Sequence, residues 1–353
     1  MRIGLYGMPT AGKSYILDKV DFLEVMSGSV LLREICPTFD SEDDHGKNMA
    51  REELAKRLLG VESFIMDGHY AFGDQVAFTD MDGQLYDVIL YLYISPDVLI
   101  KRMRESDKNK KYLSYDIEKW QMNEMESLRD YCHKSNKDFY VIDNPKDNYF
   151  TDVTEVVEFI KAIVDGFSCK RLAADCVEKI LNSTDSEVIT LLDGDKTITK
   201  EDSSHAVFGY TTHIYDGNFY TGFQSWRQAE EFKSYSFDDL KELPVGFNEK
   251  VCKALNQDSF ILTSGHKRVW RFIADYLGVP FFTGKEMSAE TKFFITKKIQ
   301  EAGKTVIAYG DGMNDYYMLK KADVGYLIPK EDGAISRSLK GRDLGGLDIV
   351  RTK

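Results

Sequence analysis

Residues 188–197 read VITLLDGDKT: five apolar or β-branched side chains run without a break into two carboxylates, Asp193 and Asp195. The run lacks period-two alternation. It therefore suits a strand buried on both faces, as in a parallel sheet covered by helices. In open parallel sheets the reacting groups collect beyond the carboxyl ends of the strands. Asp193 and Asp195 stand at such an end, and the question is which partners other strands deliver there.

Two further runs answer it. SFILTSG (259–265) leaves an apolar strand at Thr263 and Ser264, hydroxyls suited to a phosphoryl oxygen; Thr263, the first residue past the run, is favoured. TVIAYGDGMND (305–315) ends in Asp311 and Asp315, acids suited to Mg²⁺. Lys292 lies in the helical stretch before that strand and can neutralise a phosphate. The chemistry asks for this set. A carboxylate attacks a phosphate dianion only where a cation shields their repulsion. The leaving alkoxide then needs a proton and the acyl phosphate an activated water, and one acid serves both. Asp193 fits the nucleophile and Asp195 the acid–base group.

Strands and helices alternate along the whole chain. RIGLYG (2–7), FIMDG (64–68), VILYLYIS (88–95) and FYVID (139–143) read as strands. EELAKRLLG (52–60), VLIKRMRES (98–106) and TDVTEVVEFIKAIV (151–164) have helical spacing, the last capped by Thr151 or Asp152. The order implies an α/β chain of two doubly wound parallel sheets. The first domain spans 1–165, a packed connecting helix 166–186, and the second domain 187–353. An aromatic-rich insert occupies about 199–243. Its YDGNFY (215–220) suits a hairpin tip. Phe208, Tyr210, Tyr215, Phe219, Tyr220, Phe223 and Trp226 give it the apolar mass for a small core of its own, or rings on which a base can stack. His205, His213 and His266 lack metal-ligand spacing and read as structural or rim residues.

The first domain opens on GMPTAGKS (7–14), which fits G-x-x-x-x-G-K-[ST]. Glycines at 7 and 12 let the backbone of Thr10 and Ala11 curl its amides toward phosphate oxygens. Lys13 reaches the outer phosphates and the Ser14 hydroxyl ligates Mg²⁺. ATP and Mg²⁺ are the cofactors this implies.

Hydrophobic residues make up 43% and charged residues 29% of the 353, ordinary for a soluble globular protein. Of the net charge of −12, residues 1–165 carry −11, with 20 Lys and Arg against 31 Asp and Glu. That balance disfavours a nucleic-acid partner, which needs clustered cations, and leaves small phosphorylated molecules and ATP as expected ligands. The five cysteines are odd in number and show no CxxC pair, so they read as reduced thiols in a cytoplasmic protein. No apolar run approaches the ~18 residues of a membrane span, and nothing in the sequence bears on oligomeric state.

Residues 1–165 resemble the adenylate and nucleoside-monophosphate kinase family. MSGSVLLRE (26–34) is similar to its acceptor-holding stretch, FIMDGHY (64–70) to its strand-Asp-Gly segment, and VLIKRMRES to its arginine-bearing helix. The resemblance implies a P-loop NTPase-like fold, Ser27 and Arg33 near the acceptor, Asp67 near Mg²⁺ or the acceptor, and Arg102 and Arg104 on the transferring group. Ser29 replaces the family's Asp, and His69-Tyr70 replaces its Pro-Arg. One phosphate-gripping arginine is therefore missing. A hydroxyl acceptor would need a general base, for which Asp67 stands ready, unless it is a helix cap. Residues 187–330 resemble the haloacid dehalogenase superfamily, in its phosphoserine phosphatase-like branch. This implies a Rossmannoid fold with a cap inserted, Asp193 and Asp311 as Mg²⁺ ligands, the main-chain carbonyl of Asp195 as a third, and Asp315 binding or orienting the metal shell. Members that pump ions generally lack an acid at the place of Asp195, so its presence favours hydrolysis. The expectation is a bifunctional kinase and phosphomonoesterase. The alternatives are a polynucleotide 5′-kinase/3′-phosphatase, whose architecture is similar, and a phosphatase regulated by a nucleotide-sensing P-loop domain.

Overall fold

The computed structural model describes residues 1–143, 152–209, 219–236, 240, 242 and 245–350. These form two compact units, Met1–Phe167 and Ser168–Lys353. In the first, strands β1 (Arg2–Tyr6), β2 (Val25–Ser27), β3 (Phe64–Asp67), β6 (Val88–Leu92) and β7 (Asp138–Ile142) make a parallel sheet in the order β2-β3-β1-β6-β7. A short antiparallel hairpin, β4 (Ala71–Phe72) with β5 (Gln75–Val76), follows β3. Every residue of β6 and β7 is buried, which is why both read as unbroken runs. The strand order reverses between β1 and β6, so a crevice opens there, and the glycine-rich loop leaves β1 at that point.

The helix after that loop is short and spans only Lys13–Leu17. Its end tightens, with the amides of Lys19 and Val20 bonding three residues back to Ile16 and Leu17. The longest helix, Ile117–Ser135, escapes an apolar-pattern reading. Its buried stripe includes Gln121, Glu124 and Arg129 among Trp120, Met125, Leu128 and Cys132, so polar residues hide its period.

The second unit has a parallel sheet of β8 (Val188–Asp193), β9 (Ser259–Leu262), β10 (Phe281–Phe282), β11 (Thr305–Gly310), β12 (Val324–Leu327) and β13 (Asp348–Ile349). Its order is β10-β9-β8-β11-β12-β13, doubly wound, with the switch between β8 and β11. Ile189 and Leu191 pack on one face with Cys176, Ile180, Phe294 and Ile295; Leu192 packs on the other with Trp270 and Ile273. The helix Cys169–Ser183 thus contributes to this unit's core.

The insert leaves and rejoins the body through an antiparallel stem. The Asn248 amide donates to Ile198 O at 2.8 Å and the Lys200 amide to Gly246 O at 2.9 Å. Phe219, Tyr220, Phe223 and Trp226 are buried. The helix Gly222–Phe232 is fastened to the body: Tyr220 O accepts from Ala289 N at 3.1 Å, and Ser225 Oγ donates to Lys285 O at 2.9 Å. The turn expected at Asp216-Gly217-Asn218, together with Tyr210, His213, Tyr215 and Thr151, lies outside the described residues. Asp152 does accept from the Thr154 amide at 2.9 Å at the start of helix Thr154–Val164. Among the described residues no helix is long and apolar enough to cross a membrane.

Candidate functional site

In the N-terminal unit the loop Gly7–Ser14 bends through three left-handed residues, Gly7 (φ 155°), Thr10 (φ 66°) and Gly12 (φ 101°). At Gly7 a side chain is also excluded by space, since a Cβ would lie 3.0 Å from Leu92 O at the end of β6. Lys13 is buried, and its Nζ donates to Gly7 O at 2.7 Å and Met8 O at 3.2 Å, with His69 Nδ1 at 3.4 Å. Burial pushes the Lys13 ammonium down to about 8, against the pull of Asp67 and Glu124. Arg102, from the helix Pro96–Glu105, braces the loop by donating to Thr10 O at 3.2 Å and Ala11 O at 3.0 Å. Ser14 and Arg104 are exposed.

Asp67 ends β3 and lies in register with Ser27 at the end of β2. Its Oδ1 accepts from the Gly28 amide at 3.2 Å, at the start of the helix Gly28–Ile35. The structure therefore brings Lys13, Arg102, Asp67 and His69 toward one end of the sheet. Arg33 is exposed and engaged elsewhere, donating to Asp40 at 2.9 Å and to Ser29 O at 3.3 Å. Sequence reasoning missed Glu124. Its buried carboxylate accepts from Tyr91 Oη (2.7 Å), Trp120 Nε1 (3.0 Å) and the Ala71 amide (3.1 Å).

In the C-terminal unit the carboxylates of Asp193, Asp311 and Asp315 offer oxygens that all lie within 4.8 Å of one another. Asp193 ends β8 and Asp311 follows β11, at the reversal of strand order, and Asp315 stands in the first turn of the helix Met313–Lys321. Lys292, fully buried on the helix Ala289–Glu301, donates to Asp193 Oδ1 at 2.5 Å and Asp315 Oδ1 at 2.7 Å. The second oxygen of Asp315 accepts from the Asp311 amide at 3.1 Å. Burial raises the affinity of Asp193 and Asp311 for a proton, and repulsion from Asp315 adds to it; Lys292 pulls in the other direction. The buried Lys292 ammonium, even with Lys196 acting on the half-buried Asp311, does not balance three carboxylates gathered so closely. The cluster is all hard oxygen, the donor set of Mg²⁺ rather than of a softer metal, so these residues fit the ion the sequence implies.

Asp195 stands outside that cluster. Its Oδ1 accepts from the Ser203 amide at 2.8 Å and its Oδ2 from Trp270 Nε1 at 3.3 Å. Burial, and then Asp202, push its carboxyl up to about 6. Thr263 and Ser264 follow β9 directly, and they differ in their bonding. Ser264 Oγ donates to Met287 O at 3.0 Å and accepts from Asn314 Nδ2 at 2.9 Å. Thr263 Oγ1 accepts from the Gly265 amide at 3.0 Å. Asp193, Asp195, Thr263, Ser264, Asp311 and Asp315 all open on one cavity of about 1400 Å³, which Phe219 and Tyr220 of the insert also line. Trp270 and Ser203 were not legible as site residues: a buried tryptophan reads as core, and a main-chain amide has no sequence signature.

No known family model matches the chain. Over 86 residues it is 34% identical to the potassium-transporting ATPase ATP-binding subunit of Halobacterium salinarum, covering 24% of this chain and only 12% of that protein. Over 66 residues it is 35% identical to an uncharacterised protein of Methanocaldococcus jannaschii, covering 19% of this chain and 71% of that one. Among solved structures, shikimate kinase from Acinetobacter baumannii in complex with shikimate aligns at 15% identity and a TM-score of 0.33, covering 46% of this chain and 92% of that one. A substrate-bound phosphoserine phosphatase aligns at 16% and 0.31, covering 43% and 92%.

Proposed function

The chain belongs to the family of the uncharacterised Methanocaldococcus jannaschii protein, a premise that brings no activity with it, and from the sites themselves we propose an enzyme with two phosphoryl-transfer activities. The C-terminal unit is a Mg²⁺-dependent phosphomonoesterase. The observation that carries this is the convergence of Asp193, Asp311 and Asp315 on one point with Lys292 bonded to two of them.

Asp193, Asp311 and Asp315, with the main-chain carbonyl of Asp195, would hold Mg²⁺. The ion supplies the positive charge that lets an anionic nucleophile approach a phosphate dianion. A carboxylate oxygen of Asp193 bonds to phosphorus as the bond from phosphorus to the leaving oxygen breaks. Asp195, whose hold on a proton is strengthened by desolvation, gives that oxygen its proton. Water then loses a proton to the Asp195 carboxylate, and its oxygen bonds to phosphorus. The bond to Asp193 breaks, and inorganic phosphate leaves. Thr263 holds a phosphoryl oxygen: it accepts from Gly265, which leaves its own hydrogen for substrate, whereas Ser264 spends its hydrogen on Met287 O. Asp193→Asn is expected to abolish hydrolysis of p-nitrophenyl phosphate while ATP binding persists. Beryllium fluoride should add to Asp193, and an adduct on another side chain would refute the mechanism.

The N-terminal unit transfers the terminal phosphoryl group of ATP. Gly7, Thr10, Ala11, Gly12, Lys13 and Ser14 would hold the phosphates and Mg²⁺, and Arg102 would meet the charge that spreads over the transferred group. We favour an alcohol on a small molecule as acceptor. Arg33 pairs with Asp40 instead of facing an acceptor, and the Asp67 carboxylate, which ends β3 and accepts only from the Gly28 amide among the bonds described, is the acid available to take a hydroxyl's proton. Labelled ATP tested against small alcohols, nucleosides, nucleotides and 5′-OH oligonucleotides decides this. Label entering a nucleotide's phosphate overturns the alcohol. Label entering oligonucleotides, with steep salt dependence, would turn the reading to end repair of nucleic acid. ATP that changes the phosphatase rate without any labelled product would make this unit a sensor.

A further inference from the structure

Asp195 has to work twice, as an acid and then as a base, and its carboxylate must meet the leaving oxygen and later the attacking water in nearly the same place. An unsupported aspartate would sample several rotamers. Here both oxygens are held, and from different parts of the fold. Oδ1 accepts from the main-chain amide of Ser203, the first residue of the insert's helix Ser203–Phe208. Oδ2 accepts from the indole nitrogen of Trp270, on the helix Lys267–Leu277 of the body.

The indole is itself clamped. It is fully buried, and two glycines lie flat against it. A Cβ on Gly194, after β8, would fall 2.3 Å from Trp270 Cζ2; one on Gly265, after β9, would fall 2.3 Å from its Nε1 and 2.8 Å from Asp195 Oδ2. The loops that carry the proposed nucleophile and phosphate hydroxyl therefore fix the plane of the ring, and the ring fixes the acid. The other anchor is fixed by the stem of the insert. The Lys200 amide donates to Gly246 O, the Gly246 amide donates to Glu201 at 2.9 Å, and Lys196 pairs with Asp202 at 3.0 Å just before Ser203.

We propose that Trp270 and the Ser203 amide are positioning groups for Asp195, a two-sided clamp that holds the acid–base carboxylate in one rotamer for both half-reactions. Each carboxylate oxygen has two lone pairs, so accepting one bond apiece leaves a site for the proton that is passed. The clamp also gives the insert a part in the chemistry, since one of its own amides supplies half of it. This inference rests on the phosphatase reading above.

Two variants in the full-length chain test it. Trp270→Phe keeps an aromatic ring and removes the N–H. Ser203→Pro removes the other N–H at the first position of a helix, where proline is tolerated, behind Asp202 whose backbone is already extended. The probes are 2,4-dinitrophenyl phosphate, whose leaving group needs no proton, and phenyl phosphate, whose leaving group does. Rapid mixing is expected to show the first equivalent of dinitrophenol released at the wild-type rate within about twofold, because that step needs no acid. Continued turnover on the same ester, which needs the base, and turnover of phenyl phosphate should both fall about 10- to 100-fold, less than the roughly 10²–10⁴-fold that an acid–base group contributes in full, since the carboxylate itself remains. If first release and turnover drop by one common factor, or neither changes, in whichever variant folds, the clamp is wrong. Wild-type protein that releases no dinitrophenol at all would instead sink the phosphatase reading.

Discussion

Lys292 holds together side chains that would otherwise repel. Its ammonium is the charged partner of Asp193 and Asp315 in a fully buried setting, and it is kept protonated by them against the cost of burial. Removing one member of a buried ion pair typically costs about 3–5 kcal/mol, because the remaining charge has no solvent to stabilise it. Lys292→Met should therefore lower the unfolding free energy of the C-terminal unit by that order in the absence of divalent cation. Added Mg²⁺ should restore more stability to the variant than to wild type, as denaturant titrations with and without the ion would show. Equal responses would mean that the carboxylates do not share the cation. At Gly265 the argument is steric. A methyl there collides with both Trp270 and Asp195, so Gly265→Ala should cost about 1–3 kcal/mol in stability and also slow hydrolysis. A fully active, equally stable Gly265→Ala protein would show that the ring is free to move aside.

The helix Ile117–Ser135 shows how an element can matter without announcing itself. Through Glu124 it bonds the β6 residue Tyr91, its own Trp120 and the Ala71 amide of β4. It thereby steadies the segment that carries His69 to Lys13. Burial pushes Glu124 up to about 7 from an ordinary 4.5. A carboxyl whose folded value is raised favours the folded state while it is protonated. Its contribution is complete below about 4.5 and is lost as pH rises through about 7. The loss is on the order of 3 kcal/mol at about 1.36 kcal/mol per unit. Unfolding free energies of wild type and Glu124→Gln, measured from pH 4 to 8 (about the span of that titration), should diverge in slope across this window, and parallel curves would refute it. Elements with unbroken apolar runs, such as β6, β7 and β8, were legible in the sequence because burial on both faces leaves a local signature. This helix was not, since its inward stripe carries Gln121, Glu124 and Arg129, whose burial depends on partners distant in sequence. The short strands β2, β10 and β13 were equally silent, being defined by the neighbours they pair with.

At the scale of the whole molecule the chain divides at Phe167, and the helix Cys169–Ser183 falls on the C-terminal side. Cys169, Ala173, Cys176 and Ile180 of that helix are buried within the unit. A fragment of residues 168–353 should keep the hydrolytic activity of the full chain. One beginning at 187 should be several kcal/mol less stable, since burial of a large aliphatic side chain alone is worth about 1.5–3 kcal/mol. Thermal unfolding of the two fragments compares them directly, and equal stability would make the helix a mere connector. Lys13→Ala and Asp193→Asn should each silence one activity and spare the other; a variant that loses both would reveal a coupling between the units. By itself the sequence determined the α/β pattern, the glycine loop at 7–14 and the acids and hydroxyls at strand ends, because those are local: an apolar run, a turn and a functional group within a few residues. Only the tertiary structure decided that Lys292 bridges two carboxylates, that Ser264 spends its hydrogen on Met287 O while Thr263 only accepts, that Arg33 faces Asp40, and that Trp270 and Ser203 grip Asp195. Each of those is a meeting of side chains or amides brought together by strand order and burial, and no spacing along the chain encodes it.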